Sequence, residues 1–333
     1  MRKKLSEGKE PDRNRKRSAV RRAGLFLLCA WMLLAGCGSA DQVKDDPAEQ
    51  TVQAENGPVE QAVQVKNDPA DSLVREEESR QFSYHKEEIW CENNGQKIYG
   101  IAYIPDREGV MPLVIHAHEL GVSHTTGIPY AERLAQEGYT VYLFDFRGGT
   151  VGGNLSDGDT VGMSVMTEES DLEAVLTAAA SWDFVDQEKI FLLGGSQGGV
   201  AAALAGCRMP ERVAGMILLY PAFNLPFDVH KQFASREDIP EEYDLYGSVH
   251  VGRNYAEDIW DLDLFRELSG YGGPVLLLHG DQDQISDLSL VEKAAEVLPQ
   301  GELHVLQGAG HGFANGFTGE ALEYILVFMK TWC

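Results

Sequence analysis

The sequence predicts an α/β domain: a mostly parallel sheet with helices on both faces and a small cap inserted late in the chain. Three observations carry that reading. Apolar strand-like runs alternate with helix-period segments from Phe82 onward, the pattern that covers a parallel sheet on both sides. Gly194-Gly195-Ser196-Gln197-Gly198 lies between the apolar run Ile190–Leu193 and the small-residue stretch Val200–Leu204. The connection from Tyr220 to Gly273 is too long to be a plain loop inside a compact domain, and such lengths usually belong to lids or inserted subdomains.

The elements follow in order. Phe82–Trp90 and Lys97–Tyr103 read as an antiparallel pair joined at Asn93-Asn94-Gly95, residues suited to a tight turn. Leu113–Ile115 is a short buried strand, a helix over Tyr130–Glu137 stops at Gly138, and Val141–Phe144 is the next strand. Thr167–Ala179 has helical spacing with Leu172, Val175 and Leu176 on one face. Ile190–Leu193, Val213–Leu219, Val275–Leu278 and Glu302–Leu306 supply four more strands, with helices from Val200, over Leu288–Val297 and over Gly319–Thr331. The cap is expected at about 221–272, ahead of the Val275 strand. Its aromatics, among them Phe223, Phe227, Tyr246 and Tyr255, suit either a substrate wall or the cap's own small core.

Ahead of this domain, expected at 81–333, the chain reads as an address and a tether. A basic stretch (Arg13 to Arg22) precedes the apolar run Ala23–Leu33, which is shorter than the roughly 20 residues needed to span a bilayer and fits an export signal over residues 1–36. Leu34-Ala35-Gly36-Cys37 resembles the lipobox of bacterial lipoproteins, which implies lipidation at Cys37 and an extracytoplasmic, membrane-anchored protein. Residues 37–80 are acidic, with few aromatics and no amphipathic period. Such a segment cannot bury enough surface to fold, although a short helix near Asp71–Arg80 fits the pattern.

Net charge is −24 overall, and the first 22 residues carry +7 of opposite sign, so the remainder holds −31. That balance disfavours nucleic acid and anionic polymers as partners and favours a solvated acidic surface. Once the signal is removed and Cys37 is lipidated, Cys91, Cys207 and Cys333 remain, an odd number without metal-like spacing.

The chemistry centres on Ser196. A serine at the apex of a strand–turn–helix stands clear of the backbone, with glycines letting strand and helix approach. Its hydroxyl is a poor nucleophile until a base takes its proton, and that base needs a third group to orient it. His311, in Gly308-Ala309-Gly310-His311-Gly312-Phe313, is the candidate base. Asp283 is the candidate acid, with Asp281 the alternative in the same loop after the Val275 strand. In a parallel sheet these loops all emerge where ligands bind. The oxyanion requires two N–H donors, assigned to the backbones of Gln197 and of His118 in His116-Ala117-His118-Glu119. His116, His118 and Glu119 lack a third ligand at a recognisable spacing, so no metal is expected, and no cofactor is required.

From Phe82 to the end the chain resembles α/β-hydrolase fold esterases, in particular the bacterial feruloyl (cinnamoyl) esterase-like group and its dipeptidyl-peptidase-like relatives. The stretches that carry the resemblance are the His116 loop, Asp145-Phe146-Arg147-Gly148, Ser156-Asp157-Gly158, Met163-Ser164-Val165 with Glu169 and Asp171, Gly194–Gly199, His279–Asp283 and Gly308–Phe313. The resemblance implies Ser196 as nucleophile, Asp283 as acid, His311 as base, and a cap where Tyr220–Gly273 falls. Two positions depart from the family pattern: Ala117 replaces a glycine in the oxyanion loop, and Ser286 replaces a proline three residues after the acid. The expected activity is hydrolysis of small carboxylic esters through an acyl-enzyme. A prolyl-oligopeptidase-like peptidase or amidase, an acyltransferase or thioesterase, and a non-catalytic binding lipoprotein on the same fold are the rival readings.

Overall fold

The computed structural model describes residues 81–333 apart from Asn154 and Asn315. The signal over 1–36, the lipidation site Cys37, the tether over 37–80 and the helix near Asp71–Arg80 lie outside the described residues.

β1 (Tyr84–Glu88) leads into a two-residue turn flanked by β2 (Cys91–Asn93) and β3 (Gln96–Ile98), and the chain returns as β4 (Gly100–Pro105). β1 and β4 pair antiparallel, as do β2 and β3, so the sequence-level hairpin exists but breaks near Ile89 into two ladders. Asn94 and Gly95, with φ of 53° and 79°, close the turn, the positive-φ pair that suits a tight hairpin. Then come β5 (Met111–Ala117), α1 (Ile128–Gln136), β6 (Thr140–Phe144), α2 (Val165–Ala179), β7 (Val185–Gly195), α3 (Ser196–Arg208) and β8 (Gly215–Leu219). Ser164 caps α2 in a capping box with Thr167, which moves that helix's start two residues ahead of the periodic pattern.

The connection after β8 holds α4 (Leu225–Gln232), the hairpin β9 (Glu242–Leu245) and β10 (Val249–Gly252), α5 (Arg253–Ile259) and α6 (Leu264–Leu268). The chain then re-enters the sheet as β11 (Val275–Gly280), followed by α7 (Leu288–Val297), β12 (Gly301–Leu306) and α8 (Phe317–Trp332).

The sheet has eight strands in the order β1-β4-β6-β5-β7-β8-β11-β12. From β6 to β12 every pairing is parallel, and β4 joins β6 antiparallel. β6, β8 and β11 are buried at every residue, as expected for strands covered on both faces. One apolar cluster unites α2, α3, α7 and the insert on one face. The other packs α1 and α8 on the opposite face. The insert's aromatics divide: Phe223 and Tyr255 are wholly buried, while Phe227 and Tyr246 are 44% and 56% exposed. Among the described residues no helix is long and apolar enough to cross a membrane.

Candidate active site

β7 runs into α3 without a loop, and the residue at the junction is Ser196, held at φ 51°. A positive φ is strained for a side chain of this kind, and the close approach around it explains the glycines. A Cβ on Gly194 would lie 2.4 Å from the Gly198 carbonyl, and one on Gly198 would lie 2.3 Å from that of Ala117. Strand, helix and the loop after β5 therefore touch only because those side chains are absent.

Ser196 is 8% exposed, with its hydroxyl 2.9 Å from His311 Nε2. His311 Nδ1 is 2.8 Å from Asp283 Oδ2. An ionised carboxylate only accepts, so Nδ1–H donates to Asp283 and Nε2 is left to accept from the serine. Asp283 is steadied on its other oxygen by the N–H groups of Ile285 and Ser286, at 2.8 and 3.0 Å. Burial raises the Asp283 pKa. The His311 hydrogen bond and those backbone donors outweigh it and hold the carboxyl below its ordinary value. Asp281, the alternative acid, instead accepts from the Gly308 N–H at 2.6 Å and closes the histidine loop. Ser286, where the related pattern has proline, is buried and donates its hydroxyl to the Pro221 carbonyl at 2.6 Å, tying the acid loop to the start of the insert.

Gln197 is the second residue of α3, where helical N–H groups have no partner within the helix. The His118 loop is fixed by its own ring. His118 Nε2 accepts from the Phe146 N–H at 3.0 Å, and Nδ1 bonds the Glu119 carbonyl at 2.8 Å, which sets the tautomer with hydrogen on Nδ1. Burial lowers the pKa of this ring, keeping it neutral. The carbonyls of Ala117 and His118 press on Gly198, so the loop that carries His118 packs against the first turn of α3 that carries Gln197. Among the described residues no group of three or more His, Cys, Asp or Glu is arranged to hold a metal ion.

Several further residues lie near the site. The Glu119 carboxylate accepts from Tyr220 OH and from Thr126 Oγ1, each at 2.8 Å, and a Cβ on Gly195 would lie 2.8 Å from it. Tyr220, at φ 37°, presents its ring edge to His311 at 5.0 Å between centroids. Burial pushes the Glu119 carboxyl up, but the adjacent His116 and the Tyr220 and Thr126 hydrogen bonds bring it below its ordinary value. His116 itself is pushed down to about 4 by burial. On the other side, Tyr255 OH donates to Gln197 Oε1 at 2.5 Å. Glu168 is buried close by, and burial pushes it up to about 8 against the pull of the Gln197 side chain. Of these, His116, Glu119, Gly195 and Gln197 stood in motif stretches and Tyr255 among the insert's aromatics, whereas Thr126 and Glu168 carried no signal. The remaining motif residues are structural ties: Arg147 Nε donates to Asp171 at 2.6 Å, and Arg208 to Glu169 at 2.7 Å.

Comparison with known proteins agrees with this architecture. The family model described as serine aminopeptidase, S33, matches residues 112–238. The quorum-quenching protein AidA of Acinetobacter baumannii is 27% identical over 288 residues, covering 72% of this chain and 91% of AidA. Est1E of Butyrivibrio proteoclasticus, solved with ferulic acid bound, superposes with a TM-score of 0.67 at 22% identity, covering 73% of this chain and 99% of Est1E. Est816, described as an N-acyl homoserine lactone degrading enzyme, superposes at 0.54 with 21% identity, over 72% of this chain and all of Est816 (100%). The fold is that of the α/β-hydrolases.

Proposed function

We propose that this α/β-hydrolase is a serine esterase that cleaves carboxylic esters through an acyl-enzyme. The observation that carries the reading is His311, bonded at once to Ser196 and to Asp283. Ser196 Oγ attacks the acyl carbon while His311 Nε2 takes its proton. Asp283 holds the ring and offsets the charge of the imidazolium. The Gln197 and His118 N–H groups receive the oxyanion, a contribution of about 3–4 kcal/mol for each donor. His311 returns the proton to the leaving alcohol, then draws one from water as it attacks the acyl group.

Est1E with ferulic acid and Est816 suggest two ester classes, hydroxycinnamoyl esters and N-acyl homoserine lactones. A lactone is a cyclic ester, and the same attack opens its ring. The test is turnover of a p-nitrophenyl ester and of both substrate classes by purified protein and by Ser196→Ala. The expected result is loss of turnover in Ser196→Ala on the order of 10⁶-fold, with a fluorophosphonate labelling Ser196 in the wild type alone. Wild-type turnover in Ser196→Ala overturns the mechanism. The matching p-nitroanilide separates an esterase from the peptidase suggested by the family model's description. Absence of labelling in folded protein favours a binding role instead.

We further infer from Leu34-Ala35-Gly36-Cys37 that the enzyme works outside the cytoplasm on a lipid anchor at Cys37. Incorporation of labelled palmitate into the wild type and not into Cys37→Ala is the expected outcome, and label retained in the variant refutes it.

A further inference from the structure

The side chain of Gln197 points into the protein and is 1% exposed, and its amide is gripped on both ends. Oε1 accepts from Tyr255 OH at 2.5 Å, and Nε2 lies 3.6 Å from Met163 Sδ. Tyr255 is fully buried. It belongs to α5, which lies in the insert rather than in the layers that carry Ser196, Asp283 and His311.

α5 is itself fastened. Asn254 Nδ2 donates to the carbonyls of Gly162 and Met163, both at 3.2 Å, and Ser164 Oγ donates to Asp258 Oδ2 at 2.5 Å. A Cβ on Gly252, just before α5, would sit 2.3 Å from the Val161 carbonyl, so the contact there is backbone on backbone. The helix that carries Tyr255 is thus tied to the segment leading into α2, and through Tyr255 to the first turn of α3.

That first turn is the least self-supporting part of α3. Ser196 sits at φ 51°, and the opening N–H groups of a helix have no intrahelical acceptor. A donor contributes to catalysis only if it is held in place before charge develops. A buried amide and phenol also cost free energy unless they pair, so pairing the two fixes both.

We propose that Tyr255 is a positioning residue whose hydroxyl, through the Gln197 side chain, holds the Gln197 backbone N–H on the oxyanion and makes the insert part of the catalytic machinery. The proposal rests on the esterase reading above. Tyr255 never touches substrate; its effect passes through Gln197. The insert is then no detachable cover: its removal lowers the rate of the chemical step as well as changing which substrates enter.

The experiment is a double-mutant cycle on the full chain with a p-nitrophenyl ester, using Tyr255→Phe, Gln197→Met and the pair. Gln197→Met keeps the backbone N–H and deletes the amide that Tyr255 holds, together with its interaction with Glu168. Tyr255→Phe is expected to lower kcat on the order of tenfold, about the effect of one hydrogen bond, with KM within about twofold. Gln197→Met is expected to do the same, and the double variant to be no worse than the worse single one. A boronic acid that mimics the tetrahedral intermediate is expected to bind each variant more weakly in proportion to kcat, while the product acid binds as before.

Unchanged kcat in Tyr255→Phe, a rise in KM alone, or losses that multiply in the double variant would each overturn the proposal. If Tyr255→Phe does not fold, Gln197→Met carries the test, and wild-type kcat there has the same consequence. Turnover by the wild type tests the esterase reading and the variant-to-wild-type ratio tests this one, so the two failures are distinct.

Discussion

Two buried carboxyl groups flank the nucleophile's neighbourhood, and they meet opposite fates. Asp283 accepts from the His311 ring and from two backbone N–H groups, and is held below its ordinary pKa. Glu168 lies beside the Gln197 side chain and is still pushed up to about 8 by burial. Both are shielded from water. Burial therefore does not decide the charge state; the donors that come with it do. Asp283 arrives on a loop that curls its own N–H groups around the carboxylate. Glu168, in the first turn of α2, lies beside Gln197, whose amide oxygen is taken by Tyr255 OH. One group is built to stay ionised and the other to stay neutral.

The sharpest way to break this contrast is Asp283→Asn. The amide can sit in the same place but favours the wrong ring tautomer of His311, and kcat is expected to fall on the order of 10⁴-fold in ester assays. A loss under about tenfold would move the acid role elsewhere, with Asp281 the next residue to substitute.

Glu168→Gln probes the other member. The folded-state pKa of Glu168 is raised from 4.5 to about 8, so across that interval the folded chain binds the extra proton. Its stability then falls as pH rises through the window. The penalty is absent below pH 4.5 and complete above about 8, where it approaches roughly 5 kcal/mol before relaxation. Glutamine does not titrate. The variant is expected to melt near the wild type at pH 4.5 and progressively above it toward pH 9. Parallel melting curves across that range would show that Glu168 has found a partner in solution.

A smaller effect is expected where the acid loop meets the insert. Ser286→Ala removes the hydroxyl that donates to the Pro221 carbonyl, leaving a buried acceptor unpaired at a cost of about 1–3 kcal/mol. Thermal melts measure that loss. Turnover at 25 °C is expected to change less than about threefold, because the Asp283 carboxylate keeps its backbone donors. A collapse in kcat would mean that the anchor, and not those donors, sets the aspartate's position.

The sheet was legible in the sequence because its signals are local. The central strands carry short apolar runs bounded by turn residues, and Gly194–Gly198 marks the elbow by composition alone. The Ser196, Asp283 and His311 arrangement was legible too, since each residue follows the end of a strand and sheet topology brings those strand ends together. The surroundings were not. Tyr220 meets Glu119 across 101 residues, and Tyr255 meets Gln197 across 58, with no period or motif linking either pair. Glu168 and Glu169 look alike in sequence, two acids in the opening turns of a helix where the dipole welcomes negative charge. Yet Glu169 reaches Arg208, and Glu168 turns inward. The hairpin at Asn93–Gly95 was placed correctly, but the break near Ile89 depends on Tyr142, whose hydroxyl takes the Ile89 carbonyl at 2.8 Å. That is a contact between distant strands.

His311 comes after β12, the last strand in the chain and the outermost of the sheet on that side. The proposed base is therefore the last of the three site residues in the chain. A product truncated before that histidine would carry Ser196 without the ring that hydrogen-bonds it, whatever the state of the rest of the sheet.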